Sequence, residues 1–312
     1  MTRPTLRAVA RTSPATRALK EGAVDGGDVT FAFEEVSPLP KAFRRMVRTQ
    51  EWDVTEMALA TFVSARARGV PLVGLPVFPV RDFAHKSVVR AKGMKLAGPK
   101  DLEGRRVGVN RGYAVTPGVW ARDILYHGYD VDLSQITWAR SADEHVEGWT
   151  PPPNVEDLGG SGDLDHELAE GHVAAAVGVS AHEDTVPVIP DPFDAARAAL
   201  RDDGLYPILH LVVMRADLAA EPGLPRAVFD AFAASKRAYV DDLRAGRVAD
   251  PSAAGTVHLA AMETMPDPLP YGVAPNAAML DRMVAACVDQ GIIDTPLPID
   301  RLFAPDLLEV TG

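Results

Sequence analysis

Helical and strand signals alternate along most of the 312 residues. No other feature constrains the fold as much, because strands joined through helices form a largely parallel sheet with the helices packed on its faces. Residues 6–10 read as a first strand, and 15–20, after Ser13-Pro14, as a helix start. Ala42, Phe43, Met46 and Val47 share one helical face, and residues 52–57 follow as a short strand, completing a first βα repeat. Residues 70–80 are apolar but too broken by proline for a helix, so they read as an extended strand. Strand character continues at 87–90, a boundary element occupies 99–104, and a second α/β part opens with the strand 106–110. It holds a helix from Thr116, a Pro/Gly-rich loop over 150–162, a helix ending near Gly171 and a strand over 173–179. Residues 206–215 form a long apolar strand that carries the chain back. A helix bearing Val228, Phe232, Tyr239 and Leu243 follows, and the remainder reads as mostly helical.

Asp and Glu number 43 against 32 Lys and Arg, a formal charge of -11, which argues against nucleic acid or an anionic membrane as partner. A small molecule is the expected partner. If it is an anion, the cations that hold it must be local and partly desolvated, so single Arg, Lys and His residues are the ones to follow. Cys287 is the sole cysteine; it lies among Met283, Val284, Ala285, Ala286 and Val288 and reads as a packing residue. Residues 1–10 contain Arg3 and Arg7 but no continuous apolar run, so the expectation is a cytoplasmic protein. A homo-oligomer is compatible with the helical C-terminal part.

Four groups of residues then carry a resemblance. They are Glu51-Trp52-Asp53-Val54-Thr55-Glu56-Met57; Pro76-Val77-Phe78-Pro79-Val80-Arg81-Asp82-Phe83-Ala84-His85; Gly204-Leu205-Tyr206-Pro207-Ile208-Leu209-His210-Leu211-Val212-Val213; and Pro270-Tyr271-Gly272-Val273 with Asn276, Gln290-Gly291 and Leu302-Phe303. In this order the chain resembles the 4,5-dihydroxyphthalate decarboxylase family, a branch of the type II periplasmic-binding-protein-like fold. The resemblance implies an α/β, two-lobed periplasmic-binding-protein type II architecture with two inter-lobe crossings, near residues 87–92 and 208–214. Lobe 1 would comprise 1–90 plus 212–312, and lobe 2 would comprise 91–211. The chain departs from the family pattern at Ala84 and Ala277, where arginine is expected, leaving two fewer cations for a dicarboxylate.

His85 closes its run beside Lys86, with Arg81 four residues before. An imidazole there can move a proton near neutral pH, and the two cations can hold a carboxylate. His210 lies inside an apolar strand, where a polar ring must find a partner; a satisfied core histidine is the plain alternative. Asn110, Arg111, Tyr113 and Thr116 run from a strand into a helix start, with Thr116 as N-cap and Pro117 at the first helical position. That arrangement turns backbone N–H groups toward an anion. Glu56, after a short strand, is placed to orient a hydroxyl or a histidine, and Tyr271 to bring a phenol to the site. Asp163, Asp165, His166, Glu170 and His172 are spaced for a solvated helix rather than a metal site.

The expected function is a cofactor-independent decarboxylase of a hydroxylated aromatic acid. Arg81, Lys86 or the 110–116 loop would grip its carboxylate, and His85 or His210 would protonate the ring carbon. A ring hydroxyl can relay the electrons, so no bound cofactor is called for. The alternatives are a solute-binding protein of the ABC-transporter receptor type and another lyase on the same fold.

Overall fold

The computed structural model describes residues 3–160, 162–248 and 251–312. The chain divides into two compact units, the first comprising Met1–Asp82, Ile208–Arg282 and Leu297–Gly312, the second Phe83–Pro207 and Met283–Pro296. The expected division at 91–211 therefore differs in detail. The chain leaves the first unit as soon as its fourth strand ends, and residues 283–296 count with the second.

Along the chain the first unit supplies β1 (Thr5–Val9), α1 (Arg17–Lys20), β2 (Thr30–Phe33), α2 (Pro40–Thr49), β3 (Val54–Ala58), α3 (Leu59–Ala67) and β4 (Leu72–Arg81). The second supplies β5 (Val88–Ala91), β6 (Arg106–Val109), α4 (Thr116–Tyr129), β7 (Thr137–Arg140), β8 (Val155–Asp157), α5 (Leu164–Ala169), β9 (Ala175–Val177), β10 (Thr185–Pro187) and α6 (Pro192–Asp203). Then come β11 (Ile208–Arg215), α7 (Ala216–Ala219), α8 (Leu224–Arg244), α9 (Ala253–Met262) and α10 (Ala277–Asp289), the unit division falling inside α10. No helix of the described residues is long and apolar enough to cross a membrane.

The first unit is built on a five-stranded sheet ordered β2-β1-β3-β11-β4. β1 runs parallel to β2 and β3, whereas β11 is antiparallel to both of its neighbours. Strand β3 is buried at every position because it lies in the middle of this sheet. On α2 the spacing of Phe43, Met46 and Val47 turns one face inward, each such side chain contributing about 1.5–3 kcal/mol on burial. The helix stops at Gln50, whose φ of 46° is left-handed.

Helix α8 buries an unusual residue on its inner face. The Lys236 ammonium, 2% exposed, donates to Asp267 Oδ2 at 2.5 Å and to the main-chain oxygen of Gly312 at 2.9 Å, and it stands 5.1 Å from the Tyr271 ring centre. Burial lowers its pKa, with Asp267 opposing.

One turn further along α8, the Tyr239 hydroxyl lies 2.8 Å from His258 Nδ1 on α9. Burial, helped by the charge of Arg81, pushes His258 down to about 4. The folded protein therefore holds this ring neutral while an unfolded chain protonates it near pH 6.5. The stability so gained is complete above that value and is lost as pH falls toward 4, about 3 kcal/mol in all. Urea unfolding at pH 7 and pH 4 checks this: His258→Phe should lose about 3 kcal/mol less than the wild type across that interval. An equal loss in both proteins would contradict it.

The second unit has a six-stranded sheet ordered β10-β5-β9-β6-β7-β8, in which β9, β6, β7 and β8 are parallel and β5 runs antiparallel to both of its neighbours, β9 and β10. Leu158, Leu164, Leu168 and Val173 pack on Val89, Ala139 and Ala176 on one face. A methyl group at Gly108 would drive into Leu164, so the strand carries glycine there. The Pro/Gly-rich stretch, irregular throughout by its sequence, contains β8. Asn154 anchors it by donating to the carbonyls of Leu133 and Ile136, which aligns the next three residues with β7.

Arg122 on α4 is fully buried, with Nε donating to Gln290 Oε1 at 2.8 Å and Nη2 to the Tyr113 carbonyl at 2.6 Å. Gln290 in turn donates to the Val119 carbonyl. These bonds explain why residues 283–296 belong with this unit, which periodicity alone does not reveal.

Candidate functional site

In the first unit, Glu56 pairs with Val212 and Ala58 with His210 across β3 and β11, so Glu56 and His210 project from the same sheet face. His210 Nδ1 lies 2.5 Å from Glu56 Oε1. Arg11, just past the end of β1, completes the cluster: its main-chain N–H donates to Glu56 Oε2 at 2.8 Å and its Nε to Oε1 at 2.7 Å. Arg11 Nη2 is 3.0 Å from His210 Nδ1. The carboxylate only accepts and makes the shorter contact, so the Nδ1 proton belongs to the Glu56 bond; the Arg11 approach to Nδ1 is then electrostatic, and Nε2 is left to carry the ring's chemistry. Arg11 follows the carboxyl end of β1 and His210 pairs with Ala58, the last residue of β3, so the cluster opens toward the edge where open α/β sheets form their ligand crevice.

Burial alone would raise the Glu56 pKa, but the His210 hydrogen bond and the charges of His210 and Arg11 more than offset it, and the net direction is down. For His210 burial prevails: its pKa falls despite Glu56, with Arg11 pushing the same way. With its pKa lowered, the histidine is neutral at pH 7 and gives Glu56 a hydrogen bond but no charge. The two Arg11 bonds are enough to keep Glu56 ionised. We therefore describe the resting cluster as carboxylate, guanidinium and neutral imidazole. The Phe43 ring stands edge-on to His210 at 5.2 Å.

The sequence reading puts Glu56 just after a strand. It sits inside β3 and is fully buried, because Arg11 and His210 satisfy a carboxylate that a strand interior would otherwise exclude.

Arg81 ends β4, is 3% exposed, and donates through Nη2 to Asn276 Oδ1. Asn276 donates onward to the carbonyls of Pro270 and Gly272, so a neutral amide holds Arg81 against the 270–272 turn. Tyr271 in that turn is fully buried, edge-on to Phe229, and its hydroxyl has no hydrogen-bond partner among the described residues.

The second unit holds the other expected residues. His85, 5% exposed, and half-buried Lys86 lie in a short 3-10 turn, Ala84–Ser87, rather than at the end of a strand, since β4 stops at Arg81. That turn packs against α4 and α6. Asn110 Nδ2 donates to the Gly178 carbonyl at 3.0 Å, and Arg111 is exposed with a left-handed φ of 67°. Tyr113 is buried, its ring stacked on Trp149 at 5.6 Å and lying 3.8 Å from the Arg122 guanidinium. Thr116 is not the N-cap. Val115, in extended conformation, holds that position without a side-chain bond, and Thr116 is the first helical residue, fully buried.

The loop does turn N–H groups toward an anion, but the anion is Glu144. Its carboxylate accepts from Tyr113 N at 2.6 Å and from Ala114 N at 3.1 Å. Glu144 and Arg11 both escape the sequence reading. Arg11 has a usable signal, a cation immediately after a first strand; Glu144, in the polar stretch Ser141-Ala142-Asp143-Glu144-His145, has none.

The structure thus brings Glu56 and His210 together with Arg11, joins Arg81 to the turn of Tyr271 through Asn276, and gathers Asn110, Arg111, Tyr113 and Thr116 in one loop. In the first unit a cavity of about 720 Å³ is bordered by Arg11, Ser13, Arg17, Tyr239, Asp242 and Gly255, among others.

No family model matches the chain. A 4,5-dihydroxyphthalate decarboxylase from Comamonas testosteroni is 29% identical over 311 residues, covering 92% of this chain and 91% of the relative. One from Pseudomonas putida is 31% identical over 124 residues, 39% of this chain and 46% of that protein. Among solved structures, the periplasmic aliphatic sulphonate binding protein SsuA from Escherichia coli superposes with a TM-score of 0.57 at 12% identity, over 96% of this chain and 91% of that one. A DSZB mutant in complex with biphenyl-2-sulfinic acid gives 0.56 at 15% identity, over 98% of each chain. At such identities the structural likeness speaks for the fold alone. On sequence and fold together, the chain resembles the 4,5-dihydroxyphthalate decarboxylase family over nearly its whole length, on the periplasmic-binding-protein type II architecture.

Proposed function

We propose that the chain is a decarboxylase of a hydroxylated aromatic carboxylic acid, with His210 as proton donor, Glu56 as the group that orients it and Arg11 as a cation for the substrate carboxylate. The observation that carries this reading is the Arg11–Glu56–His210 cluster toward the carboxyl edge of the first unit's sheet, with Glu56 and His210 buried and Arg11 part-exposed. In the reaction the bond between ring and carboxylate breaks, its electron pair stays with the ring carbon, and that carbon takes up one proton as carbon dioxide leaves. A ring hydroxyl para to the carboxylate donates electron density to that carbon and so prepares it for the proton. His210, protonated at Nε2, delivers the proton, and Glu56 at Nδ1 stabilises the imidazolium during its brief existence. Arg11 is 41% exposed on its side chain, which leaves its guanidinium accessible to a ligand while it holds Glu56. His85 in the second unit is the alternative donor, with Arg81 and Lys86 as further candidate cations.

The test is incubation of the pure protein with a panel of mono- and dicarboxylated phenols, with carbon dioxide and product followed by mass balance. Because burial holds the His210 pKa below 6.5, its acid form becomes commoner as pH falls, and turnover limited by proton delivery should rise below neutrality. Removing the carboxylate in Glu56→Gln should move that limb to lower pH, since the imidazolium loses its counter-charge; an unmoved limb would count against the pairing.

A solute receptor is the second reading, favoured by the fold shared with a sulphonate binding protein. Tight binding of an acid that is recovered unchanged would support it over the first.

A further inference from the structure

Arg11 lies beyond Val9, the last paired residue of β1, and its side chain is 41% exposed, so neither a sheet ladder nor close packing fixes where its guanidinium points. Hydrogen bonds do. Its main-chain N–H donates to Glu56 Oε2, and its carbonyl accepts from Thr16 Oγ1 at 2.6 Å. The same Thr16 oxygen accepts from the Ser13 N–H at 2.9 Å and lies 3.1 Å from Ser13 Oγ. One residue before Arg11, the Ala10 carbonyl accepts from the Lys20 ammonium at 2.6 Å. Two successive carbonyls at the exit of β1 are thus bound by side chains from the start and the end of α1.

Thr16 does not do what a threonine at its position ordinarily does. It is the N-cap of α1, where a hydroxyl usually accepts from an amide of the first turn, yet it caps no amide of that helix. It is fully buried, and its hydroxyl proton goes back to Arg11 instead. The base on which it stands is fixed as well: Ser235 of α8, also fully buried, accepts from the Leu19 N–H at 3.1 Å and ties α1 to that 21-residue helix. Every link from α8 through α1 and Thr16 to Arg11 lies within the first unit.

We infer that Thr16 is a positioning residue: through the Arg11 carbonyl it fixes the guanidinium against Glu56 and His210. The inference rests on the reading of that cluster as the proton-delivering site, and it adds what holds the cation of the cluster in place. Valine at position 16 keeps the shape of threonine but cannot donate. The Arg11 carbonyl and the Ser13 N–H then lose their partner and regain one only if the turn opens toward water, which carries Arg11 away from His210. Glu56 and Arg11 are the charged groups that act on His210, while α2 presents the Phe43 ring to it. Withdrawal of Arg11 therefore removes the neighbour that opposes protonation of the ring.

Nitrogen-15 spectra of the full chain, with the His210 ring assigned by its absence from His210→Gln, follow protonation of that ring with pH. Thr16→Val should move its midpoint up by about half a pH unit. Thr16→Ser, which keeps the hydroxyl, should leave it within about 0.2 of wild type. Thr16→Ala removes the hydroxyl without setting a methyl group in its place; it should act as valine does and guards against a packing failure of the valine variant. A role in folding alone would lower stability and leave the midpoint where it was. A midpoint unmoved in both variants without the hydroxyl, a downward shift, or a serine variant that moves as far as valine overturns the inference, as does a ring that stays neutral in every protein down to about pH 5. The acid limb of carbon dioxide release should move to higher pH with the midpoint, opposite to its direction in Glu56→Gln. Turnover is scored separately: its absence in all the proteins would remove the decarboxylase reading and leave the titration to decide the role of Thr16.

Discussion

His210→Gln should lower the rate of carbon dioxide release by a factor of roughly 10²–10⁴, the range that a positioned proton donor contributes. The loss should fall on kcat with KM little changed, because the ring is buried against Glu56 and Phe43 and its task is proton delivery rather than grip. Glutamine retains hydrogen bonding toward Glu56, so the fold should survive and the loss reads as chemistry. The matching change at His85 separates the two candidates. If His85→Gln shows the large loss and His210→Gln does not, the proton comes from the second unit.

The largest effect on stability should follow from Asp267→Ala. That change leaves the buried Lys236 ammonium, among the described residues, with the Gly312 oxygen and the face of Tyr271 for company. Breaking a buried pair from one side costs about 3–5 kcal/mol, since an unpaired charge remains in a poorly polarisable place. Lys236→Met combined with Asp267→Ala should recover most of that loss, because no charge is then left behind. Chemical denaturation of the wild type, Asp267→Ala, Lys236→Met and the double variant closes the cycle. A double variant as unstable as Asp267→Ala alone would show that packing, not charge, is at stake.

The sequence displays the layered architecture because periodicity is a local property. β6 and β11 emerge within a residue or two of their places, and Val228, Phe232, Tyr239 and Leu243 all lie on the inner face of α8. What it conceals depends on partners distant along the chain. Glu56 reads as the residue after a strand, since nothing nearby in sequence reveals that Arg11 and His210, 45 and 154 residues away, will satisfy it. Residues 283–296 read as a continuation of the C-terminal helices, and it takes long-range bonds, such as that from Arg122, 168 residues before Gln290, to assign them elsewhere. The 110–116 loop is legible as amides facing an anion, but the identity of the anion lies some 30 residues further on. β8 is hidden for a different reason: three residues within a proline-rich loop are too few to show any alternation.

The sheet order of the first unit bears on how the protein emerges from the ribosome. β11 is inserted between β3 and β4, yet it is synthesised only after the whole stretch from Phe83 to Pro207. Until then β3 and β4 each present a bare edge of unpaired amides and carbonyls, the kind of surface on which nascent chains stick to one another. A chaperone that shields residues 54–81 during translation would meet this need, and a gene truncated before codon 208 should yield insoluble protein, although most of the first unit's strands are already encoded.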